Sequence, residues 1–182
     1  SIFVWENNME IGCLDSHVYI MDDSFLILIE GVIERATHNG VFKIMLIAMS
    51  IEEIQLAFRL MDKYDMLDLT AGFHPQDAHL VTESDFQKLE KAINTEKIKA
   101  IGEIGLDYYW DKSHEKEQIK VFKRQIELSI KYNLPISIHM RDSTQDVYDI
   151  IKSYEGQLRG VMHCYSGSLE MAKSFIKQGF FI

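Results

Sequence analysis

The chain has 182 residues, of which 47% are hydrophobic, 26% charged and 11% aromatic, a balance that suits one folded domain with a sizeable core and excludes disordered and fibrous classes. Nineteen Lys and Arg stand against 28 Asp and Glu, a formal net charge of -9. A basic, nucleic-acid-coating surface is therefore excluded, while a pocket that meets phosphate through bound cations is not.

In chain order, Ser1 to Asn8 read as an extension ahead of Met9, and residues 9–182 as one domain. A strand is expected over Ile11–Ser16, a helix over Phe25–His38 closed by Gly40, and a strand over Phe42–Ala48. A helix over Ile51–Tyr64, a strand over Leu69–Phe73 and a helix over Glu83–Asn94 follow, the last opened by a capping signal between Thr82 and Asp85. After a strand over Ile98–Glu103 comes the clearest helix, Glu115–Tyr132, in which Ile119, Phe122, Ile126 and Ile130 recur at helical spacing. It stops at Asn133, ahead of Pro135. A strand over Ile136–His139, a helix over Ser143–Tyr154 closed by Gly156, a strand over Gly160–His163 and a helix over Leu169–Lys177 capped by Ser168 complete the alternation. The run from Gly179 reads as the opening of a seventh, buried strand.

Strands alternating with helices imply a parallel sheet, doubly wound or closed into a barrel. Asp15-Ser16-His17 stands where a nucleotide-binding unit would carry its Gly-rich loop, which weighs against that unit. An eight-stranded barrel takes about 250 residues, so this chain is expected to supply about seven of the eight strands, with both ends cut. The fold expected is thus a TIM (β/α)8-type barrel, truncated in the seventh strand. Cys13 and Cys164 form no disulfide framework and read as core residues of a protein in a reducing compartment. Apolar runs fall far short of the roughly 20 residues of a membrane span, and the start carries no basic region ahead of an apolar one. A cytoplasmic protein without membrane partners is expected.

In a parallel barrel the functional groups sit at the carboxyl ends of the strands. His17, His74, Glu103, His139 and His163 all follow or end expected strands, so five imidazole or carboxylate groups converge on one face. One such histidine is more often structural; the convergence points to a divalent metal site, with zinc or manganese suited to the mixed donors. A metal there lowers the pKa of its water and shields charge on a phosphoryl or carbonyl oxygen, which is hydrolytic chemistry.

Three blocks, Gly102-Glu103-Ile104-Gly105-Leu106-Asp107-Tyr108-Tyr109, Leu134-Pro135-Ile136-Ser137-Ile138-His139-Met140-Arg141 and Gly160-Val161-Met162-His163-Cys164-Tyr165-Ser166-Gly167, resemble the signature blocks of the TatD family of metal-dependent deoxyribonucleases. Leu14-Asp15-Ser16-His17 and Gly72-Phe73-His74-Pro75 match two more, in order and spacing from Met9 to Ile182. The resemblance implies an amidohydrolase-type TIM barrel that cleaves the phosphodiesters of DNA or oligonucleotides with two divalent ions, Mg, Mn or Zn. It implies Glu103 as bridging ligand and catalytic group, His139 and His163 as ligands of one ion, and His17 as a ligand of the other. Tyr19 stands where the family has a second histidine beside His17, and the family's late Asp lies beyond Ile182, so only one ion is expected here. His74 and Arg141 are candidate substrate contacts, against the alternatives of packing beside Pro75 and pairing with Asp142 or Asp146. Two other readings stay open: an inactive, truncated remnant, and a related barrel hydrolase acting on C-N or ester bonds. A monomer is favoured.

Overall fold

The computed structural model describes the backbone of residues 2–7, 10–19, 23–110 and 112–182, and the side chains of Val18, 29–110 and 112–182. Its strands are β1 (Ile2–Asn7), β2 (Glu10–Tyr19), β3 (Val41–Ala48), β4 (Leu67–Ala71), β5 (Ile98–Asp107), β6 (Ile136–Arg141), β7 (Gly160–Met162) and β8 (Phe180–Phe181). They form one curled sheet in chain order, with β1 and β8 at its edges. From β2 to β8 every pairing is parallel. The crossovers are helices α1 (Asp23–His38), α2 (Ile51–Met61), α3 (Glu83–Ile93), α4 (Glu115–Lys131), α5 (Thr144–Ser153) and α6 (Leu169–Lys177). This is the wall of a TIM-type α/β barrel, as the alternation of strands and helices predicts. No helix among the described residues is long and apolar enough to cross a membrane.

The N-terminal segment adds a strand that apolar periodicity does not signal. Ile2–Asn7 lies antiparallel on β2, with Ile2 opposite Asp15 and Asn7 opposite Glu10, so the extension is a hairpin arm on the first parallel strand. Helix starts follow local chemistry. Thr82 and Asp85 complete the expected capping box on α3, and the Ser168 and Ser50 hydroxyls accept from Met171 N and Glu53 N to open α6 and α2.

Alternation along the strands sorts the core. Ile44, Leu46 and Ala48 of β3 and Leu67, Leu69 and Ala71 of β4 are buried in the main apolar cluster, and α2 packs against both strands. Met45, Ile47, Thr70 and Ser137 lie on the other parity and line a cavity of about 800 Å³ on the concave side of the sheet. Cys164 departs from expectation: it is exposed rather than in the core, because it sits in the turn beyond β7 with φ +46.

β5 is longer than its apolar run suggests and reaches Asp107, so Glu103 lies within the strand rather than at its end. Between the pairs Ile101–Ile136 and Ile104–Ile138 the register slips by one residue, a bulge in β5 that contains Glu103. Gly105 makes the next step possible. Its φ is +144, and a Cβ there would fall 1.9 Å from the His139 carbonyl oxygen, so β5 and β6 approach only because this position has no side chain. Gly105→Ala should therefore destabilise the fold by about 3 kcal/mol or more, read as a lower urea midpoint with little change in slope.

Candidate metal centre

The segment after β4 and the strands β5 and β6 bring His74, Glu103 and His139 together, with one potential ligand atom from each lying within 4.8 Å of the others. Glu103 is 1% exposed, and its Oε1 lies 3.4 Å from His139 Nδ1. The other ring nitrogen, Nε2, is 2.9 Å from Asp107 Oδ2. The His74 ring meets the His139 ring edge-on, with centroids 4.5 Å apart.

The local chain explains each placement. His74 follows β4 through Gly72 and Phe73 and caps a 3-10 helix (Pro75–Leu80), its Nδ1 accepting from Gln76 N at 3.3 Å. A neutral imidazole that accepts at Nδ1 carries its proton on Nε2, so in this state His74 is an N–H donor. Burial lowers its pKa, and the neighbouring His139 adds to the shift, which favours that neutral state. His139 is tuned the other way. Burial alone would lower its pKa, but the Glu103 and Asp107 carboxylates outweigh burial and hold it above the ordinary value.

Asp107 is the residue that a reading of strand ends undervalues. It is 2% exposed, and its Oδ2 meets both His139 Nε2 and Gln76 Nε2, the latter at 3.2 Å, while Oδ1 accepts from Tyr109 N. Its sequence signals are its place in the block that holds Glu103 and its position four residues further along the same strand. Two buried glutamines of α4 set the backbone of the site. Gln118 accepts from Asp107 N and donates to Asp107 O, both at 2.9 Å, and Gln125 does the same for Phe73, at 2.7 and 3.1 Å. They stand seven residues apart on the face of α4 that also buries Val121, Phe122 and Ile126. A search for apolar periodicity passes over both.

The remaining expected residues are placed as follows. His163 follows β7, with Nε2 3.1 Å from Cys164 Sγ, and is not part of the three-residue cluster. His17 and Tyr19 lie in β2, and their side chains are outside the described residues. Arg141 ends β6 with its guanidinium 3.6 Å from the Tyr109 ring centroid. Among the described residues it stacks there rather than pairing with Asp142 or Asp146, and Asp146 instead accepts from the Tyr108 hydroxyl at 2.9 Å.

The donor set fits a divalent cation. Glu103 and His139 Nδ1 offer a hard oxygen and a borderline nitrogen side by side, and Asp107 behind Nε2 is the outer carboxylate that orients a ligating histidine. A parallel TIM-type sheet that carries such a group on adjacent strands has the fold and donor set of the TIM-barrel metal-dependent hydrolases as a class. Residues 14–182 match the sequence family described as TatD related DNase, and the chain belongs to that family. The uncharacterized metal-dependent hydrolase YabD of Bacillus subtilis is 38% identical over 169 residues, 92% of this chain and 66% of that protein. The 3'-5' ssDNA/RNA exonuclease TatD of Salmonella typhimurium is 29% identical over 84% of this chain and 59% of that protein. The crystal structure of YjjV, a TatD homologue from Escherichia coli K12, superposes with a TM-score of 0.84 at 28% identity, covering 92% of this chain and 65% of that one. The chain thus spans 59 to 66% of the length of these relatives.

Gln125→Leu strands the Phe73 N–H and C=O in a buried site and should cost about 2–4 kcal/mol in denaturant unfolding. In the metal-free protein His139 should titrate above its ordinary value by NMR. Because its folded pKa is raised, the stability it contributes is full below the unfolded pKa and is lost as pH rises through the folded one. Asp107→Asn should lower that midpoint and weaken Mn or Zn binding by about 10–100-fold in calorimetry.

Proposed function

We propose that this chain carries the metal site of a phosphodiesterase that hydrolyses nucleic acid, with ends and single strands favoured over duplex. The observation that supports this most is the buried Glu103 beside His139 Nδ1, backed by Asp107, in a chain of the TatD related DNase family. Glu103 and His139 would hold a divalent ion, with His163 and His17 as the further ligands that the family resemblance implies. A bound ion supplies positive charge to a phosphoryl oxygen and an acidified water.

The chain's own groups do the rest. Asp107 keeps the proton on His139 Nε2, so that Nδ1 presents its lone pair beside Glu103. Neutral His74 donates a hydrogen bond to a phosphate oxygen near the cluster and stabilises charge as it builds there. Arg141, a planar two-pronged donor at the end of β6, holds a flanking phosphate. The net charge of -9 disfavours sequence-independent coating of duplex, which leaves the site itself to select its substrate.

The test is hydrolysis of labelled single-stranded and duplex oligonucleotides with Mg, Mn or Zn, before and after a chelator. Chelation should abolish activity. Glu103→Gln should lower both metal affinity and turnover by more than about 100-fold, since loss of even an outer partner costs 10–100-fold. His74→Ala should lower turnover and leave metal affinity within about twofold, as expected of a substrate contact rather than a ligand. Turnover of amides or lactones with no phosphodiesterase activity would overturn the proposal.

A further inference from the structure

Beyond Asp107 the chain runs Tyr108-Tyr109-Trp110, and these aromatics have different fates. Tyr108 is buried, donates its hydroxyl to Asp146 and anchors the segment. Tyr109 is 50% exposed and Trp110 71%, unusual for large rings beside a buried polar cluster. Their rings meet edge to face at 4.6 Å. The Arg141 guanidinium stands 3.6 Å from the Tyr109 centroid and 5.7 Å from the Trp110 centroid, which places a positive charge against the aromatic pair. Trp110 also walls a cavity of about 370 Å³ with Gln76, His79, Asp107, His114 and Gln118. The His79 and His114 rings stack there at 4.1 Å, within 7° of parallel. Gln76 and Asp107 belong to both the cavity and the hydrogen-bonded surround of His139, so the cavity opens directly beside the metal centre.

We propose that this cavity is a base-binding subsite for an unpaired nucleotide next to the scissile phosphodiester. The base stacks on Trp110, and Arg141, held in place by Tyr109, takes the phosphate on its far side. The subsite rests on the nuclease reading and adds a substrate selector to it. Its volume falls in the range of about 300–1,000 Å³ typical of small-ligand sites, and its lining combines flat rings with amide and imidazole edges. Every base has a π-face, so such a platform is tolerant of sequence, but a base in a duplex has both faces covered by its neighbours. Selection of single strands then arises from the geometry of one loop, and an acidic protein needs no extended basic groove to achieve it.

The probe is a short, fluorescein-labelled oligothymidylate with phosphorothioate linkages, titrated by anisotropy in a chelator so that no cleavage occurs. The unmodified protein should bind it more tightly than an abasic strand of equal length or the same strand in a duplex. Trp110→Ala should weaken thymidylate binding by about 10–100-fold, Trp110→Phe should recover most of it, and neither should alter affinity for the abasic strand. Arg141→Ala should weaken both strands and flatten the salt dependence. Metal affinity of the Trp110 variants, measured by calorimetry, should match the unmodified protein. Equal binding of thymidylate and abasic strands by the unmodified protein, or undiminished thymidylate binding by Trp110→Ala, overturns the subsite. If metal-dependent cleavage of single strands persists in that case, the nuclease reading stands alone; if no phosphodiester is cleaved by the metal-loaded protein, both fall together.

Discussion

Two side-chain amides on one helix hold the whole site in place. Gln118 and Gln125 reach from α4, and each binds both backbone polar groups of one residue, Asp107 at the end of β5 and Phe73 beyond β4. Strand ends are where a sheet ladder gives out, so their buried N–H and C=O groups need other partners. Placing the partners two helical turns apart on a single rigid element ties the segments that carry His74 and Asp107 to one frame. His139 follows, because its Nε2 is held by Asp107 and its backbone runs against Gly105.

The electrostatics of the centre depend on that frame. Glu103 and Asp107 flank one imidazole from two sides, and both are at most 2% exposed. Without a cation, the His139 proton is the charge that offsets them, which is why the ring holds it more firmly than usual. A divalent ion held at Nδ1 would compete with that proton for the same nitrogen, so metal affinity and pH would be coupled at this histidine. His74, a few ångströms away, is kept neutral by burial, and the pair therefore divides into one group suited to ligation and one suited to donation.

Outside the centre the charge changes sign over a short distance. Arg141 lies over Tyr109, and Lys112 approaches the Tyr108 ring at 5.1 Å, so cations stand on aromatic faces at the rim of an otherwise acidic molecule. Stacking fixes the direction of a long side chain that would otherwise lose entropy on meeting its ligand. A rim of this kind gives a polyanion local attraction without a basic surface.

What the sequence determined by itself was the alternation of strands and helices, and hence the parallel sheet. Periodicity and cap residues such as Thr82 with Asp85 and Ser168 are local signals, and the structure keeps them to within a few residues. The signature blocks around Glu103 and His139 likewise carried the family, because their residue types are legible one by one. Tertiary structure decided the grouping: His74 rather than His163 joins the described cluster, Asp107 becomes the partner of His139, and Arg141 chooses a ring over a carboxylate. The bulge around Glu103, the Gly105 approach and the α4 glutamines bring these about, and each depends on groups from different strands or helices meeting at a strand end. Such meetings have no period along the chain. A polar residue on a buried helical face looks like a flaw in the pattern until the backbone it satisfies is in place.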